Sequence, residues 1–180
     1  RTAPHHKLLA RYADVPQIVR IIRCLAASRL AGIVTVLGHD AHRLRPLIEE
    51  LPTRILVNPD HEGGLSGSVK MGFAAGMPAD GVMMVPADMP LLDTADIDAL
   101  IAAFVPGTVV AATDRSATRN PVILPASMAA AVETLSGDTG ARRLIRDYAP
   151  VRLVELGATA SCDIDTVEAI LSTGGHLPKG

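Results

Sequence analysis

The chain has 180 residues, 48% of them hydrophobic, with 17 basic against 19 acidic side chains and a formal net charge of -2. That length and apolar content suit one domain with a real core and exclude global disorder. With no basic surplus, no Trp, two Tyr and two Phe, the composition also disfavours a nucleic-acid clamp or a base-stacking platform. A nucleotide bound here would be held by backbone groups, hydroxyls, a few cations or a metal.

In chain order, Val15, Ile18, Ile22 and Leu25 recur at helical spacing. Residues 33–37 are β-branched and apolar between Gly32 and Gly38, and read as a buried strand. Leu44, Leu47, Ile48 and Leu51 mark a second helix. A strand over 54–57 stops at the turn signal Asn58-Pro59. A helix over 68–75 follows a glycine- and serine-rich stretch, and a strand over 81–85 ends at Pro86. Residues 94–104 form a helix with Thr94 as N-cap and Ile97, Leu100, Ile101 and Phe104 on one face. Strands are expected at 108–112, 121–124 and 151–156, and helices at 126–135 and 139–148. Asp165 or Thr166 caps a last helix through Leu171, which Gly174-Gly175 ends, leaving 173–180 as a frayed tail.

Nearly continuous apolar strands alternating with helices predict an α/β fold. Three layers, α/β/α, are expected around a mostly parallel, Rossmann-like sheet. Ligands of such sheets bind beyond the carboxyl ends of the strands. Here those ends are Gly38-His39, residues 58–68 and residues 86–90.

Asp88, in Val85-Pro86-Ala87-Asp88-Met89-Pro90, leaves the end of a buried strand between two prolines. A carboxylate there suits magnesium held against a substrate phosphate. A turn aspartate capping backbone amides explains the position equally well. Asp163-Ile164-Asp165-Thr166 is a second carboxylate pair, of which a helix cap explains only one member. Residues 60–68 offer amides and hydroxyls that suit an anion or ribose, although a plain flexible loop reads as well. The Gly-Lys-Ser/Thr end of a Walker loop is missing, and Lys70 is displaced from its place.

Around His39-Asp40-Ala41-His42, Asp40 as N-cap is preferred over a metal site. The stretch 137–142 reads as an inter-helix turn capped at Asp138 or Thr139. Cys24 and Cys162, far apart in sequence, are expected to be buried free thiols. The longest uncharged stretch, 99–113, contains Pro106-Gly107 and is too short to span a bilayer. A reducing, cytoplasmic setting without membrane or nucleic-acid partners is the expectation.

Seven segments, in order, resemble the MobA-like molybdenum cofactor nucleotidyltransferases, in particular their cytidylyltransferase branch. They are Lys7-Leu8-Leu9; Gly38-His39; Asn58-Pro59 with Gly64-Leu65-Ser66-Gly67-Ser68; Ala87-Asp88-Met89-Pro90; Asn120-Pro121-Val122; Ser136 through Arg142; and Asp163-Ile164-Asp165-Thr166. Ala87 stands where that family usually has glycine, and Val167 where it usually has proline. The family's first strand and glycine-rich phosphate loop have no counterpart in these residues. Arg1 matches the loop's arginine, Thr2 replaces its methionine, and the rest is expected upstream of a nucleotidyltransferase domain over 1–172.

The resemblance implies transfer of CMP from CTP to molybdopterin with release of pyrophosphate, dependent on Mg2+. It implies that Asp88 and Lys7 are catalytic, with Asp88 and Asp165 on the metal and Asp163 as the alternative ligand. Arg1, Lys7, Asn58, Ser66 and Ser68 would bind the nucleotide. Asn120, Asp138 and Arg142 would lie toward the pterin. The choice of cytidine rests on Asn120-Pro121 and the Asp88-Met89-Pro90 style. The implied partners are the small-molecule nucleotide and molybdopterin, with a molybdoenzyme or its chaperone as recipient. Another acceptor or GTP on the same fold, and a non-catalytic cofactor carrier, are the alternatives.

Overall fold

The computed structural model describes residues 6–115, 117–145, 148 and 150–178, with the backbone alone for Arg142. A 3-10 turn at Lys7–Leu9 leads to a small antiparallel pair, β1 (Arg11–Tyr12) and β2 (Val15–Pro16), then α1 (Gln17–Ala26). Strand β3 (Val34–Leu37), helix α2 (Ala41–Ile48) and strand β4 (Arg54–Val57) form a βαβ unit whose strands pair in parallel. Next come α3 (Leu65–Gly76), β5 (Gly81–Met84), α4 (Thr94–Ala103), β6 (Val109–Thr113) and β7 (Thr118–Pro125). The chain continues through α5 (Ala129–Glu133), α6 (Arg142–Ile145), β8 (Val151–Glu155), α7 (Ala158–Ser161) and α8 (Val167–Ser172).

The larger sheet has the order β5-β7-β6-β8. Strands β6 and β8 are parallel, whereas β7 runs antiparallel to both β5 and β6. The sheet is therefore mixed. The turn between β6 and β7 is too short for a crossover, so the chain must reverse beside β6. Arg115, at φ 68°, makes that reversal.

Side-chain alternation divides the core into layers. Val82 and Met84 of β5, Val109 and Ala111 of β6, and Val122 and Leu124 of β7 face α3, α5 and α6, packing on Val69, Phe73, Val132 and Ile145. The alternate residues Val110, Ala112 and Ile123 meet Leu100 of α4 and Ala160 of α7. Met83 also joins the cluster built on α1, α2 and α4, with Ile18, Ile22, Leu44 and Ile97 fully buried. This is the expected three-layer α/β/α arrangement.

Among the described residues, β3 pairs only with β4, and β5 pairs only with β7. Their other edges border one cavity of about 2180 Å³, also lined by Ile18, Ile21 and Ile22 of α1 and by Val69 and Gly72 of α3. A small-ligand pocket is typically about 300–1,000 Å³. The cavity thus exceeds what a substrate needs, and its inner part lies between two strand edges under two apolar helix faces.

Several local expectations are corrected. Asp93, not Thr94, caps α4: it accepts from the Asp96 amide, and the Asp96 carboxylate accepts from the Asp93 amide, a capping box. The Thr94 hydroxyl instead donates to the Cys24 carbonyl. Helix α3 begins three residues before the expected start. Gly64, at φ 101°, packs so tightly on the Gly137 backbone that a Cβ would come within 2.4 Å of it. Asp40 occupies the N-cap position of α2 at φ 56° but makes no capping hydrogen bond, and its carboxylate pairs with Arg43 at 3.2 Å. The two thiols are free but half-buried.

The segment expected to fray is paired instead. His176 and Arg11 exchange backbone hydrogen bonds at 2.7 and 2.9 Å, and Leu177 packs on the cluster of Ala10, Tyr12, Ile164 and Ile170. Gly175 lies flat on Tyr12, where a Cβ would approach the ring to 2.6 Å. The described part of α6 covers only four residues of the helix expected at 139–148.

Candidate active site

Three loops meet at the carboxyl ends of the central strands. Asp88 follows β5, Asp165 precedes α8, and Lys7 stands in the first 3-10 turn. The Lys7 ammonium donates to the Asp88 carboxylate and, at 2.7 Å, to the Asp165 carboxylate. Their exposures differ: the Asp88 side chain is 18% exposed, Lys7 31% and Asp165 72%. Asp88 is thus the inner anchor and Asp165 the arm open to solvent.

Burial opposes the charge on Lys7, but hydrogen bonding and attraction from Asp165 and Asp88 outweigh it and hold the ammonium above its ordinary pKa. The hydrogen bond from Lys7 is the main cause holding the Asp165 carboxyl below its usual range. Thr166 accepts from the Ala169 amide and is the N-cap of α8. The choice left open between Asp165 and Thr166 is settled, and Asp165 is released to face Lys7.

Backbone contacts set this geometry. The Ile164 amide donates to the Asp88 carbonyl at 3.2 Å, tying the two carboxylate loops together. Ile164 itself is fully buried. The Gln17 side-chain amide donates to the Ala87 carbonyl at 3.0 Å.

Lys7, Asp88, Ser68, Asn120 and Asp138 all line the large cavity. Asn58 and Ser66 are buried. The Asn58 amide is committed internally: its nitrogen donates to the Ser68 hydroxyl at 3.1 Å, and its oxygen accepts from the Asp60 amide at 3.0 Å. Asn58 therefore orients the loop, while Ser68 is the residue presented to the cavity. The Ser66 amide donates to the Gly137 carbonyl at 3.0 Å and docks α3 on the 137–142 turn. Arg1 and the side chain of Arg142 lie outside the described residues. Arg143, which the motif reading passed over for its neighbour, lines the cavity.

The histidines arrange differently from a metal site. His39 lies between His6 and His61, with ring centroids 6.2 and 6.1 Å away and the His6 plane within 8° of its own. Three loops thus meet through an imidazole ladder. Among the described residues, no group of three or more His, Cys, Asp or Glu could hold a metal ion. Asp88 and Asp165 form a pair with a cation already seated between them. That donor set fits Mg2+, which takes one or two protein carboxylates and completes its shell with water and substrate phosphates. Among the described residues, no helix is long and apolar enough to cross a membrane.

Two carboxylates and a lysine thus meet at one edge of the α/β fold, and Lys7 and Asp88 line the large cavity. The profile of the MobA-like NTP transferase domain matches residues 1–153, and the chain belongs to that family. Nicotine blue oxidoreductase of Paenarthrobacter nicotinovorans is 30% identical over 162 residues, 82% of this chain and 79% of that protein. The bifunctional protein GlmU of Leifsonia xyli subsp. xyli is 36% identical over 101 residues, 54% of this chain but only 21% of that longer protein. The solved structure of Rv0371c from Mycobacterium tuberculosis H37Rv, complexed with manganese, superposes with a TM-score of 0.81 at 19% identity, covering 97% of this chain and 92% of that one. The chain thus carries the family's NTP transferase domain on an α/β fold that these neighbours share.

Proposed function

We propose that this enzyme transfers CMP from CTP to the terminal phosphate of molybdopterin and releases pyrophosphate. The observation that carries this reading is the Lys7 ammonium seated between Asp88 and Asp165 at the edge of the cavity. In the reaction, a phosphate oxygen of the acceptor forms a bond to the α-phosphorus. The bond from that phosphorus to the bridging oxygen breaks, and pyrophosphate leaves with the electron pair. Such chemistry needs positioning and charge neutralisation more than covalent participation by the protein.

Asp88 and Asp165 would hold the divalent cation, whose contribution when bound is to neutralise and orient the phosphates. Lys7 and Arg1 would face the triphosphate. Ser68, on the first turn of α3, contacts the ribose, and Asn58 and Ser66 hold that turn in place. Asn120, Asp138 and Arg142 serve the acceptor side. The manganese in the mycobacterial neighbour supports a divalent-cation role.

The test is pyrophosphate release by the full polypeptide with molybdopterin and either CTP or GTP. Faster turnover with CTP supports the reading. Equal or faster turnover with GTP moves the assignment to a guanylyltransferase. Turnover with another phosphorylated acceptor instead keeps the chemistry and changes the substrate. Tight molybdopterin binding without any transfer identifies a carrier.

A further inference from the structure

We infer that Gln17 is a positioning residue that fixes the spacing between Lys7 and Asp88, an inference that rests on the nucleotidyltransferase reading of that site. Gln17 opens α1 and is fully buried. Its neighbours on the helix, Ile18, Val19, Ile21 and Ile22, are buried and apolar, so a glutamine there is out of character for the core. Two of its hydrogen bonds reach the site's segments, and the second depends on the side chain. The backbone amide donates to the Ala10 carbonyl at 2.8 Å, at the end of the turn that carries Lys7. The side-chain amide donates to the Ala87 carbonyl at 3.0 Å, one residue before Asp88. One residue thereby grips both segments whose side chains form the ion pair.

The side-chain oxygen of Gln17 is buried and has no hydrogen-bond partner among the described residues. A buried acceptor left unpaired is destabilising, and an apolar side chain of the same length would remove that penalty. Glutamine is therefore a costly residue if its role is packing, and it makes sense if the donated bond to Ala87 serves the site. This separates the two roles experimentally. A packing role predicts that loss of Gln17 lowers Tm. A positioning role predicts that Tm holds or rises while the site fails.

The experiment compares wild type with Gln17→Met, which keeps length and volume, and with Gln17→Glu, which keeps shape but loses the amide donor. It uses the full polypeptide, and Mn2+ is the metal probe. Three quantities are read: Tm, Mn2+ affinity by calorimetry without nucleotide, and kcat and KM for pyrophosphate release. The expected result for Gln17→Met is an unchanged or higher Tm, Mn2+ binding weakened about tenfold, kcat lowered about tenfold, and KM for the nucleotide within about threefold. Gln17→Glu is expected to show the same kcat loss. Either variant folded with unchanged Mn2+ affinity and kcat overturns the inference. So does a loss of activity that only tracks a fall in Tm. Failure of the wild type to transfer any nucleotide would instead overturn the underlying functional reading.

Discussion

Ile164 and Asp88 are joined by a backbone hydrogen bond of 3.2 Å, from the amide of the first to the carbonyl of the second. That bond sets Asp165, the next residue, beside the loop that carries Asp88. Ile164 is fully buried against Ala10, Tyr12 and Ile170, so packing of the C-terminal segment holds a carboxylate loop in place. Ile164→Ala should cost about 2–5 kcal/mol of stability, the range for a large-to-small change in a core. Ile164→Val should cost about 0.5–1.5 kcal/mol. Urea denaturation with a constant m-value measures both. A cost below about 0.5 kcal/mol for the alanine variant would mean that the cluster does not anchor this loop.

In the proposed mechanism, Lys7 and a divalent cation compete for the same two carboxylates. Lys7→Ala should therefore bind Mn2+ more tightly than wild type in the absence of nucleotide, by roughly tenfold, as expected when a charge-assisted hydrogen-bond pair no longer has to be broken. It should also lose turnover, because the ammonium is then missing from the phosphates. Calorimetric titration checks the first effect and pyrophosphate release the second. Weaker Mn2+ binding by the variant would show that Lys7 supports the metal site instead of occupying it.

His6 supplies a pH dependence of stability. Burial is the largest cause pushing its imidazole below the ordinary value of 6.5, and His39 and Arg43 add to the fall, while Asp40 and the His39 backbone oppose it. The unfolded chain therefore binds this proton more readily than the folded one. Stability is full above about pH 6.5 and declines as the pH falls from there toward the lowered folded value. Tm measured from pH 8 to pH 5 should decline less in His6→Gln than in wild type. Parallel curves would remove His6 from the account.

The capping box of α4 offers a simple stability test. Asp93→Ala should cost about 1 kcal/mol, because it leaves the Asp96 amide unpaired at the helix start. Thr94→Val should leave that cap intact. The reverse order of costs in urea denaturation would restore Thr94 as the cap.

Much of the framework is legible in the residues themselves. Apolar runs bounded by glycine or proline place β3, β4, β5, β6 and β8 within about a residue or two, because buried strands have little other way to be written. The direction of β7 is less legible, since the same Pro121-Val122-Ile123-Leu124 run serves a strand of either sense. The start of α3 is hidden by Ser66 and Gly67, whose helix propensity is low, and only docking on Gly137 explains it. In the site, Lys7, Asp88 and Asp165 could be named from their motifs, but not that the lysine would lie between the two carboxylates. Asn58 could be chosen as polar and near a strand end, whereas its commitment to Ser68 and Asp60 depends on three-dimensional packing. Gln17 gives one faint signal, a polar residue opening an apolar helix, and its partner lies 70 residues away.

In the proposed mechanism Asp88 holds the cation that makes nucleotidyl transfer work. The most direct test of that role is pyrophosphate release from CTP and molybdopterin by wild type and by Asp88→Asn, with Tm measured on the same samples. Turnover by Asp88→Asn should fall by about two orders of magnitude or more with Tm held within a few degrees. Transfer at the wild-type rate by the folded variant would contradict that role.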